Sequence, residues 1–186
     1  RPGGVGARTG RLIRLCVAAA APGFGAALVS SLEAFGRTLG WVTEAGPLAL
    51  RGKRGALAGM GGGGGAHLLT LTRLGIGNFN LADFDSYEIH NFNRQVGANI
   101  HSVGRSKVDV MSEMASAINP ELGIRRFADG VNSANVERFL DAVDLYVDGL
   151  DFFVFDERQR VFECCAERGI PALTAAPPRM VAALRV

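Results

Sequence analysis

The stretch Ala56-Leu57-Ala58-Gly59-Met60-Gly61-Gly62-Gly63-Gly64-Gly65 decides how this chain is read. An apolar run leads into five consecutive glycines, and Gly59 to Gly64 fits G-x-G-x-x-G. Helix-like sequence follows from Ala66 to Leu74, then Gly75, then a strand-like segment ending at Asp83. A glycine loop between strand and helix lets backbone N–H groups approach a phosphate. The helix N-terminus adds partial positive charge there. An acid ending the second strand is placed to hold ribose hydroxyls. The sequence therefore points to a bound nucleotide.

Outward from that loop, apolar spacing predicts strands at 54–60, 79–83, 124–127, 145–148 and 170–174. Helices are predicted at 64–74, 105–118, 136–142 and 155–168. Gly75 reads as a C-terminal cap, and Asn119-Pro120 stop the helix predicted at 105–118. Val108, Met111, Met114 and Ile118 share one helical face; Phe155, Val161, Phe162 and Cys165 share another. Residues 31–45 read as a short helix or two. Residues 84–103 read as a long polar connection, and a loop of that length is functional or disordered. Strands alternating with helices give an α/β, Rossmann-like fold: a mostly parallel sheet with helices on both faces.

The 186 residues suffice for one domain with a proper core, and 48% apolar with 20% charged residues suits a globular chain. A net charge of +2 implies no broad attraction to nucleic acid, so DNA is not an expected partner. No apolar stretch is long enough to span a bilayer. Cys16, Cys164 and Cys165 make neither a disulfide framework nor a zinc pair, which fits a cytoplasmic location. Residues 1–30 are rich in Ala, Gly and Arg without a clean period and read as a disordered extension. Arg11, Arg14 and the run from Leu15 to Ala21 only faintly suggest a leader. Residues 31–186 are then the nucleotide-binding domain.

The motifs downstream of the glycine loop are more specific than the loop. Their order is Asp83-Phe84-Asp85, Asn91-Phe92-Asn93-Arg94-Gln95, Gly104-Arg105-Ser106-Lys107, Ile118-Asn119-Pro120, Asp148-Gly149-Leu150-Asp151, and finally Gly169-Ile170-Pro171. This series, over about residues 32–180, resembles the ThiF/MoeB/HesA family, relatives of the adenylation domain of ubiquitin-activating enzymes. The resemblance implies an ATP-dependent adenylyltransferase that activates a carboxylate as an acyl-adenylate. The acceptor would be the C-terminus of a ubiquitin-like sulfur carrier, a small molecule or a modified tRNA base. It also implies ATP and Mg²⁺ as ligands. Gly59, Gly61, Gly62 and Gly64 would shape the phosphate loop and Asp83 would bind ribose. Asn91, Arg94 and Lys107 would hold phosphates, and Asp151 would bind Mg²⁺. Arg37 would reach the ATP of a partner subunit, so a homodimer is expected.

Ordinary readings stand beside these. Asp83 and Asp85 can end a strand in solvent, Arg94 and Lys107 can be surface charges, and Asp151 can cap a helix. Trp41 and the phenylalanines read as core; Cys164 and Cys165 read as core cysteines, not nucleophiles. His67, His90 and His101 have no metal-ligand spacing. The chain also departs from the family. Glycine stands at 55 and 63 where relatives carry side chains, and Phe152 stands where an Asn often follows the magnesium aspartate. The resemblance ends near Arg179-Met180, which reads as a C-terminally incomplete domain. An NAD(P)-dependent oxidoreductase and a nucleotide-binding module without catalysis are the alternative readings.

Overall fold

Leu57, Phe79, Leu81 and Val147 point one way from their strands, while Ala56, Ala58, Ala82 and Tyr146 point the other. Strict alternation of buried side chains on both sides demands a sheet covered on both faces. The computed structural model describes residues 45–151, 154–176 and 183–185. Its elements are α1 (Ala45–Gly52), β1 (Arg54–Ala58), α2 (Gly62–Leu74), β2 (Asn78–Ala82), α3 (Lys107–Ile118), β3 (Gly123–Phe127), α4 (Val136–Phe139), β4 (Leu145–Asp148), α5 (Phe155–Arg168), β5 (Ala172–Ala176) and β6 (Ala183–Arg185). The sheet order is β3-β2-β1-β4-β5-β6. The first five strands are mutually parallel and β6 is antiparallel to β5. The expected Rossmann-like architecture is therefore present. The chain divides into two units, Arg1–Leu48 and Ala49–Val186, and the sheet belongs to the second.

Leu68 and Leu69 of α2 join Val108, Met111 and Ala115 of α3 over Leu57, Phe79 and Leu81. Phe139 of α4 joins Val161 and Cys165 of α5 over Ala56, Ala82 and Tyr146. On that second face Phe127, Phe139, Tyr146 and Phe162 form a chain of edge-to-face rings at 5.3, 6.4 and 5.6 Å. Each such pair adds about 0.5–1.5 kcal/mol beyond area burial. Burial pushes the Cys165 thiol up to about 11, as a packed core cysteine should behave.

Several boundaries differ from expectation for identifiable reasons. Strand β1 stops at Ala58, not residue 60, because Gly59 takes φ +86° and turns the chain. Helix α2 begins at Gly62, inside the glycine run, two residues earlier than predicted. Gly75 caps it in the left-handed conformation, as expected. Helix α3 begins at Lys107, because the Ser106 side chain accepts from the Asp109 N–H. Helix α4 is only four residues long, and β6 has no counterpart among the predicted strands. Phe155, expected on a buried face, is exposed; Phe84 and Phe92 are exposed too, against the reading of all phenylalanines as core. The ring of Phe79 fills the space beside Gly55, 3.2 Å from where a Cβ would stand. Residues 1–30, the helices expected before residue 45, Arg37, Trp41 and Phe152 lie outside the described residues.

Candidate functional site

The ends of β1, β2 and β4 converge, and the glycines explain how closely. A Cβ at Gly59 would stand 2.2 Å from the Gly149 carbonyl oxygen. One at Gly64 would stand 1.7 Å from the Gly59 oxygen, and one at Gly149 would meet the oxygens of Gly59 and Ala58 at 2.7 and 3.0 Å. Three backbone segments therefore touch here with no side chain between them. The Gly149 N–H also donates to Ala58 O (2.8 Å), and the Gly59 N–H to Ala82 O (2.7 Å). Gly61 and Gly62 have no such contact; their nearest neighbours belong to Gln95 and Arg94 at 3.6 and 3.4 Å. Gly59 and Gly61 thus sit in the loop proper. Gly62 is the first residue of α2, and Gly64 is the point at which α2 packs onto the strand end.

Asp83 is buried, which removes the reading of a strand end in solvent. One carboxylate oxygen accepts from the Met60 N–H at 2.6 Å and the other from the Asp85 N–H at 2.8 Å. It ties the glycine loop to the end of β2. Burial raises its carboxyl above the usual carboxylate range, opposed by those two N–H donors and by Lys107. Lys107 is also buried, so it is no surface charge. Its Nζ donates to Asp85 Oδ2 at 2.8 Å and its backbone N–H to Asp85 O at 2.9 Å. Lys107 is thus an enclosed cation paired with Asp85 and close enough to Asp83 to act on its carboxyl.

The connection from β2 to α3 is folded back on itself. Tyr87 bridges to Val103 and Ser86 to Ser106, and a 3-10 turn spans Ile89–Asn91. Asn91 is buried; its Oδ1 accepts from the Glu88 N–H at 2.9 Å and its carbonyl from the N–H groups of Arg94 and Gln95. It therefore shapes the turn that carries Arg94 past Gly62. Arg94 is exposed, with Nη1 donating to His90 O (3.0 Å) and Asn93 Oδ1 (3.1 Å). Gln95 is buried beside Gly61, and its Oε1 has no hydrogen-bond partner. Sequence reasoning assigned Gln95 no role of its own. Burial, and next the Asp83 charge, push the Tyr87 hydroxyl up to about 12, so it stays protonated.

Asp148, the last residue of β4, is buried, and Asp151 beyond it is exposed. Asp148 Oδ2 accepts from Arg158 Nε (2.8 Å) and Thr174 Oγ1 (2.8 Å), and Oδ1 from the Leu150 N–H (3.2 Å) and the Tyr146 hydroxyl (3.3 Å). Sequence reasoning missed Arg158 of α5. The available signal was an arginine in the first turns of the helix after a strand-end acid. Among the described residues no three His, Cys, Asp or Glu side chains gather as a metal cage. Asp151, two residues past the Gly149 that touches the glycine loop, is an exposed carboxylate that would suit Mg²⁺, which keeps several waters and takes phosphate oxygens. His67, His90 and His101 do not meet at the site. Among the described residues no helix is long and apolar enough to cross a membrane.

Comparison with known proteins fits this geometry. The sequence pattern of the ThiF family matches residues 35–186. The tRNA threonylcarbamoyladenosine dehydratase of Bacillus subtilis (strain 168) is 31% identical over 121 residues, which is 64% of this chain and 47% of that protein. A probable adenylyltransferase/sulfurtransferase MoeZ of Mycobacterium tuberculosis is 34% identical over 104 residues, covering 56% of this chain and 26% of MoeZ. The crystal structure of the E. coli tRNA N6-threonylcarbamoyladenosine dehydratase TcdA in complex with ATP superposes with a TM-score of 0.72 at 28% identity. It covers 77% of this chain and 58% of TcdA. The chain spans less than half the length of either curated relative.

Proposed function

This chain belongs to the ThiF family, and on that premise we propose that it is the nucleotide-binding part of an enzyme that adenylates a carboxylate with ATP. One observation carries the reading. The glycine loop is pinned through Met60 to the buried Asp83, and the next segment holds a buried lysine at the same strand ends. In the reaction, a carboxylate oxygen bonds to the α-phosphorus and the bond to the departing pyrophosphate breaks. Negative charge accumulates around both, and fixed donors that neutralise it do most of the catalysis.

In this reading the N–H groups around Gly59, Gly61, Gly62 and Gly64 face the phosphates. Asp83 accepts from ribose with lone pairs left by the Met60 and Asp85 N–H groups. Lys107 and Arg94 supply positive charge to the triphosphate, with Lys107 exchanging Asp85 for phosphate. Asn91 acts by holding the turn that presents Arg94. Magnesium, held by Asp151, phosphate oxygens and water, would offset triphosphate charge. Arg37 would complete the site of a second subunit in a homodimer. The acceptor is a protein carboxyl terminus, a small-molecule carboxylate or a modified tRNA base, and the setting is cytoplasmic. The tRNA base is supported by the names of the dehydratase relatives, and the protein terminus by a similarity to a ubiquitin-like modifier-activating enzyme. A nicotinamide oxidoreductase would share the glycine loop and Asp83 but has no use for Lys107 and Arg94 together.

Titration calorimetry with ATP–Mg²⁺ and with NAD⁺ tests this. Binding of ATP with little or none of NAD⁺ is expected; NAD⁺ binding without ATP binding refutes it.

A further inference from the structure

Arg158 stands ten residues beyond Asp148 yet is bound to it, and two further side-chain bonds fall on the turn between them. Besides Nε on Asp148 Oδ2, its Nη2 donates to Leu150 O (2.5 Å) and Asp151 O (3.0 Å). Those carbonyls belong to the turn from β4 into α5. The planar guanidinium reaches all three acceptors at once through a fixed fork of donors, where an ammonium offers a compact point charge. Asp148 is in turn fixed by Thr174 of β5 and by the buried Tyr146 hydroxyl, whose acidity burial suppresses. Asp151 O also accepts from the Val154 N–H at 3.2 Å, closing the turn.

We propose that Arg158 is a positioning residue that sets Asp151 for its ligand by clamping the backbone of residues 150–151 to Asp148. The proposal rests on the reading of Asp151 as the magnesium-binding carboxylate. Asp151 hangs from a peptide whose carbonyl is turned to a guanidinium. Its backbone cannot rotate without breaking a charge-assisted bond. The clamp extends to the loop as well, because Gly149 lies against Gly59 and Gly64. An arginine that merely closed α5 onto the sheet would bond Asp148 and leave the carbonyls to solvent.

The test compares Arg158→Lys with Asp151→Asn in the full chain. Arg158→Lys keeps a charge on Asp148 and gives up the carbonyls. Thermal melting first establishes that both variants fold. Calorimetry then reads the Mg²⁺ concentration at half effect on ATP binding, and hydrogen exchange reads the amides of residues 149–151 without ligand. Loss of a partner that orients a metal ligand weakens metal affinity by about 10–100-fold. Both variants are expected to raise the Mg²⁺ requirement at least about tenfold. Arg158→Lys should also speed exchange at residues 149–151. A shift in Asp151→Asn with none in Arg158→Lys overturns the positioning role and leaves the reading of Asp151 standing. No shift in either variant overturns that reading and the inference built on it. If Arg158→Lys does not fold, Arg158→Gln, which keeps one amide donor for Asp148, is read by the same criteria.

Discussion

Gly63 and Gly64 are neighbours in the first turn of α2, and alanine at each should have opposite effects. At Gly64 the added methyl would lie 1.7 Å from the Gly59 carbonyl oxygen and 2.9 Å from its carbon. That is half the ordinary contact distance of about 3.4 Å, and the obstacle is backbone, which no rotamer change can move. Either α2 lifts from β1 or the Gly59 turn gives way. Overpacking of this kind costs about 1–3 kcal/mol, and here the upper end applies. The better helix propensity of alanine returns at most about 1 kcal/mol, so the net loss is about 2 kcal/mol. At Gly63 the nearest atom is His67 Nε2 at 3.9 Å, and the position is exposed. Alanine there should gain up to about 1 kcal/mol. Denaturant midpoints and ATP titration on both variants are the assay. Gly64→Ala should lose stability and most nucleotide affinity, while Gly63→Ala keeps both. Equal stability and affinity for the two would refute the claim that the helix and loop touch at this glycine.

Arg94→Ala and Lys107→Ala should each weaken ATP binding about tenfold or more, since a hydrogen bond to a charged group is worth roughly 1.5–3 kcal/mol; wild-type titrations would mean these charges serve only the fold. Ala142 holds φ 56° at an exposed turn, so Ala142→Gly should raise the melting temperature slightly, with a net gain below about 1 kcal/mol once the entropy of the unfolded chain is counted. The Asp144 carboxyl is held low, first by its hydrogen bond from Lys53. A lowered folded value stabilises above the unfolded pKa of about 4, and the gain vanishes as pH falls through the folded value. Asp144→Asn should therefore cost less than about 1 kcal/mol at pH 7, since the pair is partly exposed, and nothing in strong acid. Urea melts at both pH values check this; an equal loss at both would refute it.

The parts of the molecule legible in sequence were those with a local period. The apolar run through Ala56, Leu57 and Ala58, and the spacing of Val108, Met111, Met114 and Ile118, each identify an element without any partner. Helix α2 was legible from residue 64, two residues late, because glycine is a poor helix former by itself. Its first turn packs through Gly64 and Gly65 against Gly59, Met60 and Met111, a tertiary fact. Phe84, Phe92 and Phe155 show the converse: apolarity predicts burial, but these three lie where none of the described elements covers them. Among site residues, Asp83 and Lys107 could be placed from motif order, but their burial could not. The Asp148–Arg158 pair escaped because it joins a strand end to a helix face with no repeating pattern between them. Arg37 lies outside the described residues, so its role rests on the resemblance alone.

The contact of Gly59, Gly64 and Gly149 has a thermodynamic consequence. Where backbone touches backbone, no side chain can swing aside and absorb a displacement. The phosphate loop and the turn bearing Asp151 then share one floor, and whatever stiffens one end stiffens the other. A nucleotide settling at Gly61 and an ion settling at Asp151 should each raise the other's affinity by the same factor. That reciprocity would hold even for groups of the two ligands that never meet.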